Sequence, residues 1–152
     1  MRVKVLHYLS HGRIGGQERA MYQLFRAFEN DPEFEFGVVY GEKGGYYLSR
    51  ILGLNIRSMS LRSGSGFSLH VAPRIITFLK NYKIHHFHDP SPNQILPSLM
   101  LGKGTIRMFT RRGGLIDYSR YGLKKKLKHS IDRYLIRHYF HSYSGNTKTA
   151  LE

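Results

Sequence analysis

The sequence predicts an α/β fold, a parallel sheet with helices on both faces, formed as a single domain over residues 1–152. Three observations carry that prediction. Short apolar or alternating runs recur between amphipathic segments of about ten residues, the pattern of strand and crossover helix. The runs are punctuated by Gly, Pro, Asn and Asp, yet no two-residue hairpin signal joins any pair of them. A glycine loop also stands between the first strand and the first helix, where sheets of this kind receive ligands.

The first strand is the apolar run Val3, Val5, Leu6, Tyr8 and Leu9. Ser10-His11-Gly12-Arg13-Ile14-Gly15-Gly16 follows, and helical spacing begins after Gln17 with Ala20, Met21, Leu24, Phe25 and Phe28 on one face. Glycines here let backbone N–H groups approach a ligand, and the helix amino end favours an anion. A tight turn without a ligand is the other reading. Gly12, Gly15 and Gly16 do not spell the dinucleotide fingerprint, which disfavours nicotinamide cofactors.

After Asn30-Asp31-Pro32 the spacing predicts a strand over 34–40, a short helix ending at Gly53, and a brief strand over 54–59. A polar loop over 61–66 leads to a helix over 71–82, with Pro73 tolerated in its first turn. A strand over 84–88 follows. The next helix carries Ile95, Leu96, Leu99 and Met100 around Pro97, so it starts near Gln94 or kinks. A strand over 105–110, a loop over 111–121, a long helix over 123–139 and a last strand over 140–144 complete the pattern. Asn146 reads as the start of a further helix.

Composition bounds the function. A chain of 152 residues with 41% apolar content supports one domain with a real core. It holds no cysteine, which excludes disulfides and thiolate metal sites and fits a reducing compartment. Lys4 and His7 interrupt the first apolar run, so no secretory signal is expected there. With 24 Lys and Arg against 10 Asp and Glu, the net charge of +14 attracts nucleic acid, anionic lipid or phosphorylated small molecules.

Four polar clusters fall at the carboxyl ends of the predicted strands: Gly15-Gly16, His88-Asp89, Arg111-Arg112-Gly113-Gly114 and Ser144-Gly145-Asn146. His86 and His88 share a strand face, which makes a metal site conceivable, but Asp89 is the one carboxylate nearby and none is expected. His88-Asp89 reads better as a hydrogen-bonding pair for a hydroxyl-rich or phosphate ligand, or as an ordinary strand-end turn. The Arg111 and Arg112 forks suit phosphate oxygens, the alternative being a solvated basic turn. Lys124, Lys125, Lys126 and Lys128 open the long helix, and lysine there opposes the helix dipole. This face is either solvated or in contact with anionic lipid, while the stripe Leu123, Leu127, Ile131, Tyr134, Leu135 and Tyr139 is expected to pack on the sheet. No nucleophile elbow and no carboxylate pair appear, so no catalytic residue is assigned.

These clusters resemble the amino-terminal half of GT-B glycosyltransferases of the large retaining family 4, the glycosyl transferases group 1. The matching stretches are His7-x-Leu9-Ser10, Gly15-Gly16-Gln17-Glu18-Arg19, His86-Phe87-His88-Asp89-Pro90, Phe109-Thr110-Arg111-Arg112-Gly113-Gly114 and Ser144-Gly145-Asn146-Thr147, in that order over essentially the whole chain. The resemblance implies a Rossmann-like domain on the acceptor side of a two-domain hexosyltransferase, inactive without a carboxyl-terminal donor-binding domain that this chain does not contain. It implies that Gly15, Gly16, Arg111, Arg112 and Gly113 face the donor phosphate or sugar. His11, His88, Asp89, Ser144 and Asn146 then hold the acceptor. Where the family pattern reads Thr-x-His-Gly, this sequence has Arg112 in place of the histidine.

The implied partners are a nucleotide sugar as co-substrate, a glycan or lipid-linked acceptor and an anionic membrane surface, with no further cofactor. The setting is cell-surface glycan or glycolipid synthesis, cytoplasmic and peripheral at the inner face of the membrane. The alternative is a basic Rossmann-like module holding nucleic acid or another phosphorylated ligand. Against it, no recognition motif and no aromatics interleave with the basic run.

Overall fold

In the computed structural model, residues 2–9, 15–41, 44–61, 72–88, 92–102, 104–111 and 122–145 are described. Among them, strands and helices alternate throughout: β1 (Val3–Leu9), α1 (Gly16–Ala27), β2 (Phe34–Tyr40), α2 (Tyr46–Leu52), β3 (Arg57–Ser60), α3 (Ala72–Lys80), β4 (Ile84–His88), α4 (Pro92–Leu99), β5 (Ile106–Arg111), α5 (Leu123–Tyr139) and β6 (Ser142–Gly145). The strands form one sheet in the order β3-β2-β1-β4-β5-β6, and every neighbouring pair is parallel. The fold is a Rossmann-like α/β fold, and the strand order reverses between β1 and β4. A crevice at such a reversal is where open parallel sheets bind their ligands.

Alternation along the strands divides the core into two layers. Leu6 and Tyr8 of β1, Val39 of β2 and Phe87 of β4 pack with Ile75, Leu79, Ile95 and Phe140 on the face covered by α3 to α5. Leu9 and Val38 point the other way and meet Met21, Phe25 and Ile51 beneath α1 and α2. Each fully buried side chain of this size contributes about 1.5–3 kcal/mol.

Local chemistry sets several boundaries. Asp31 Oδ1 accepts from the backbone N–H groups of Glu33 and Phe34 at 2.8 and 3.0 Å, turning the chain into β2. Gly44 and Gly45 enter α2 at φ 87° and 111°, values that other residues rarely adopt. A Cβ on Gly37 of β2 would run into the Tyr82 ring, so glycine lets Tyr82 lie flat over the sheet.

Most elements fall where the sequence puts them, with three differences. The third strand is Arg57–Ser60 rather than 54–59, because Leu54 and Ile56 are spent closing the core under α2. The last strand begins at Ser142, since Phe140 turns inward against Phe87 and Phe109. The fourth helix starts at Pro92 and keeps Pro97 inside it.

The larger correction concerns α5. Its apolar stripe does not pack on the sheet: Leu123, Leu127 and Ile131 are 85%, 61% and 46% exposed, and Tyr134 and Tyr139 are exposed with them. Only Leu135 and Ile136 join the core cluster. Helical spacing marks an apolar face without fixing what covers it, and among the described side chains of α5 the core reaches Leu135 and Ile136.

Candidate functional site

The described parts of the polar clusters, Gly15, Gly16, His88, Arg111, Ser144 and Gly145, fall at the carboxyl ends of their strands or at the start of the following helix. Their strands β1, β4, β5 and β6 are consecutive in the sheet, so their carboxyl ends form one continuous edge. Two glutamines brace the reversal point reciprocally. Gln17, in the first turn of α1, donates to the His88 carbonyl at the end of β4 (3.2 Å). Gln94, in α4, donates to the Leu9 carbonyl at the end of β1 (3.0 Å). Each helix that leaves one strand is thereby tied to the other, which fixes the crevice width.

The amino end of α1 holds an acid. Glu18 is buried, and its carboxylate occupies the space that a Cβ on Gly15 would need. Gly15 itself has extended backbone (φ −159°), so the close approach of Glu18, not backbone strain, accounts for this glycine. Gly16 meets no such neighbour. Carboxylate charge is favourable at this end of a helix, and a ligand phosphate placed there shares the terminus with Glu18.

On the α1 face a polar row crosses the sheet. His7 and His86 are register partners on β1 and β4, and His88 stands two residues beyond His86. His7 Nδ1 lies 3.2 Å from His88 Nε2 with the rings stacked 12° from parallel, and His7 and His88 are only 3% and 1% exposed. His86 Nε2 bonds Thr110 Oγ1 at 2.7 Å, and Thr110 Oγ1 bonds Ser144 Oγ at 2.6 Å. Ser144 is exposed, so the row runs from the interior at His7 to solvent at β6.

The opposite face carries a second polar group, entirely interior. Tyr8 Oη and Ser98 Oγ lie 3.0 and 2.9 Å from His85 Nδ1, and His85 Nε2 lies 3.3 Å from the Leu79 carbonyl. A carbonyl can only accept, so Nε2 carries the proton and the single lone pair of Nδ1 accepts from one of the two hydroxyls, which also bond each other. Burial pushes the His85 imidazole down to about 4, which keeps the ring neutral. Arg107, 5% exposed, donates to the carbonyls of Ser98, Gly102 and Thr105 at 2.6, 3.2 and 3.4 Å. Among the described residues its charge is satisfied by carbonyls at the carboxyl end of α4 and the turn that follows.

Among the expected site residues, Gly15, Gly16, His88 and Ser144 lie on the carboxyl edge, as does the backbone of Arg111 at the end of β5. His88, expected to meet a ligand, is buried against His7, so its ring does not line open solvent. His11, Asp89, Arg112, Gly113 and Asn146 lie outside the described residues. Lys126 is exposed on α5, and Lys124, Lys125 and Lys128 belong to the same first turns. Sequence reasoning missed Gln17, Gln94 and Thr110 as braces of this edge, and it left His7 unassigned. Parallel register was the signal that pairs His7 with the histidines of β4.

Solved structures with a similar fold include two UDP-N-acetylglucosamine 2-epimerases. A putative one from Listeria monocytogenes matches at TM-score 0.59 and 16% identity, over 99% of this chain and 41% of that one. The other matches at TM-score 0.62 and 11% identity, over 99% and 43%. No family model and no curated protein matches the sequence. The chain thus spans about two fifths of these neighbours' length. The likeness is one of fold, a Rossmann-like α/β domain.

Proposed function

We propose that this chain is the acceptor-side domain of a nucleotide-sugar-dependent, retaining glycosyltransferase of family 4 type, a hexosyltransferase acting on a glycan or lipid-linked acceptor. One observation carries the reading. The carboxyl ends of β1, β4, β5 and β6 form one braced edge that gathers the α1 amino end, Arg111 and Ser144, groups suited to phosphate and sugar hydroxyls. The second reading, a nucleotide-sugar epimerase, is favoured by the two structural neighbours. A donor-binding second domain completes the cleft in either case, so the 152-residue chain alone should turn over nothing.

The test incubates the full product of the gene with radiolabelled nucleotide sugars and an extracted acceptor pool. Label appearing in glycan or lipid, with free nucleotide diphosphate released, is the expected result. Label retained on a nucleotide sugar of altered configuration assigns the epimerase reading instead.

The reading includes an anionic membrane surface as the place of work. No helix among the described residues is long and apolar enough to cross a membrane. What supports peripheral contact is α5, whose exposed Leu123, Leu127 and Ile131 stand beside a lysine-rich start. Basic residues near a charged leaflet contribute about 1 kcal/mol each, and the leucines add apolar insertion. Co-sedimentation with anionic vesicles should be lost on changing Lys124, Lys125, Lys126 and Lys128 to Gln, and weakened by Leu127→Gln. Equal sedimentation on neutral vesicles overturns the membrane part.

A further inference from the structure

The polar row on the α1 face holds a feature that neither fold nor proposed activity explains, a cluster of three histidines inside the sheet. One ring nitrogen from each of His7, His86 and His88 lies within 4.8 Å of the other two. On sequence spacing alone, only His86 and His88 share a face, with a single carboxylate beside them. Register adds His7 directly opposite His86 and changes the donor set to three imidazoles.

We propose that His7, His86 and His88 form a binding site for a divalent transition-metal ion of the zinc class. The closest pair has the nitrogen spacing of a chelate, with its nearly parallel rings meeting end to end, so both rings must turn for their lone pairs to converge on one ion. Two nitrogens bound to one tetrahedral ion at about 2.0–2.1 Å stand about 3.3 Å apart, and His7 Nδ1 and His88 Nε2 are separated by 3.2 Å. His86 has its ring centre 5.1 Å from that of His7 and 4.2 Å from that of His88, so a modest ring rotation brings its second nitrogen in. Neutral imidazole is the preferred nitrogen ligand for such ions, whereas calcium and magnesium require oxygen.

The surroundings match a metal site as well. Metal-bound histidines are ordinarily oriented by a hydrogen bond at the other ring nitrogen, and Thr110 Oγ1 holds His86 Nε2 in that way, itself held by Ser144. Phe25 and Phe36 wall the His7 ring edge-on at 5.3 and 5.4 Å, providing an apolar shell. Three protein nitrogens leave a fourth position for water, the composition of an open zinc site. The site lies at the strand reversal and stands independently of the glycosyltransferase reading.

The test uses the untagged 152-residue chain, stripped with a chelator and titrated with zinc by calorimetry and with cobalt by visible absorption. One ion per chain, the intense visible bands of tetrahedral cobalt and a rise in melting temperature with zinc are expected. His86→Gln should weaken binding by more than about tenfold, and Thr110→Val by about tenfold through loss of ring orientation. His138→Gln, on exposed α5, should change nothing. Zinc-induced shifts of imidazole nitrogen resonances in the unmodified chain should fall on His7, His86 and His88, which decides the matter even where a variant fails to fold. Absence of stoichiometric binding, unchanged affinity in His86→Gln, or shifts confined to other histidines overturns the proposal and leaves the His7–His88 contact as an ordinary core hydrogen bond.

Discussion

The two faces of the sheet treat buried polar groups differently. Under α3 to α5, His85, Tyr8, Ser98 and Arg107 form a closed set whose bonds run to one another and to carbonyls of α3, of α4 and of the turn before β5. Beneath α1, the His7–His88 pair lies against a second set, His86–Thr110–Ser144, whose last member is exposed. The first arrangement holds helices to the sheet. The second leads from the core to the edge where a ligand would sit. Burial alone does not separate them, because His7 and His88 are as hidden as Arg107. What separates them is that the interior set ends on carbonyls, whereas the α1 face includes a bond to exposed Ser144.

Four measurements test that contrast. Arg107→Leu should be the most damaging, because it strips the donors from three carbonyls around the end of α4, at a cost of about 3–5 kcal/mol in chemical denaturation. A loss below about 1 kcal/mol would show that the arginine is dispensable and the interior set is not structural.

Acidification should come next. His85 is held to about 4 in the folded chain against 6.5 when unfolded, so protons bind the unfolded chain first. Stability therefore remains level above about pH 6.5 and falls as pH drops toward 4, by about 3 kcal/mol in all. Denaturation curves of the wild type and His85→Gln across that range isolate the effect, since the variant should lose this part of the slope. Parallel curves would mean that His85 titrates freely.

Gly37→Ala should cost about 1–3 kcal/mol, as its methyl displaces the Tyr82 ring on the same interior face. His86→Gln should cost least, under about 1 kcal/mol, because the half-buried side chain can keep a hydrogen bond to Thr110 from its amide. If it destabilises as much as Arg107→Leu, the α1 row is scaffold too and the distinction between the faces fails.

Fold class was readable because it rests on period and punctuation. The strand over 34–40, the strand over 84–88 and the helix over 123–139 lie where apolar spacing puts them. The stripe of α5 was also found, but periodicity identifies a face without saying what lies opposite, and here most of that face is exposed. Arg107 was invisible as an interior residue, since a charge on a strand ordinarily marks solvent and the carbonyls that accept it belong to another element. Gln17 and Gln94 escaped for a related reason. Each was noted as a marker near a helix start, and only the adjacency of β1 and β4 gives its side chain something to hold. At the site, the glycine loop drew notice for a possible ligand, and the contact of Glu18 with Gly15, which pattern could not show, is a further reason for glycine there.

The placement of β1 beside β4 also has a consequence in time. His7 and His88 meet across 81 positions of chain, and the pairing of their strands closes the middle of the sheet. As the chain leaves the ribosome, β1 and β2 can pair early, but one flank of β1 stays open until β4 has emerged. Its residues Leu6, Tyr8 and Leu9, all destined for the interior, are exposed to other chains during that interval. Contacts of such high sequence separation also slow the final search, because a long loop must close before they form. The same junction that shapes the crevice is therefore the step at which the nascent protein is most open to misassembly.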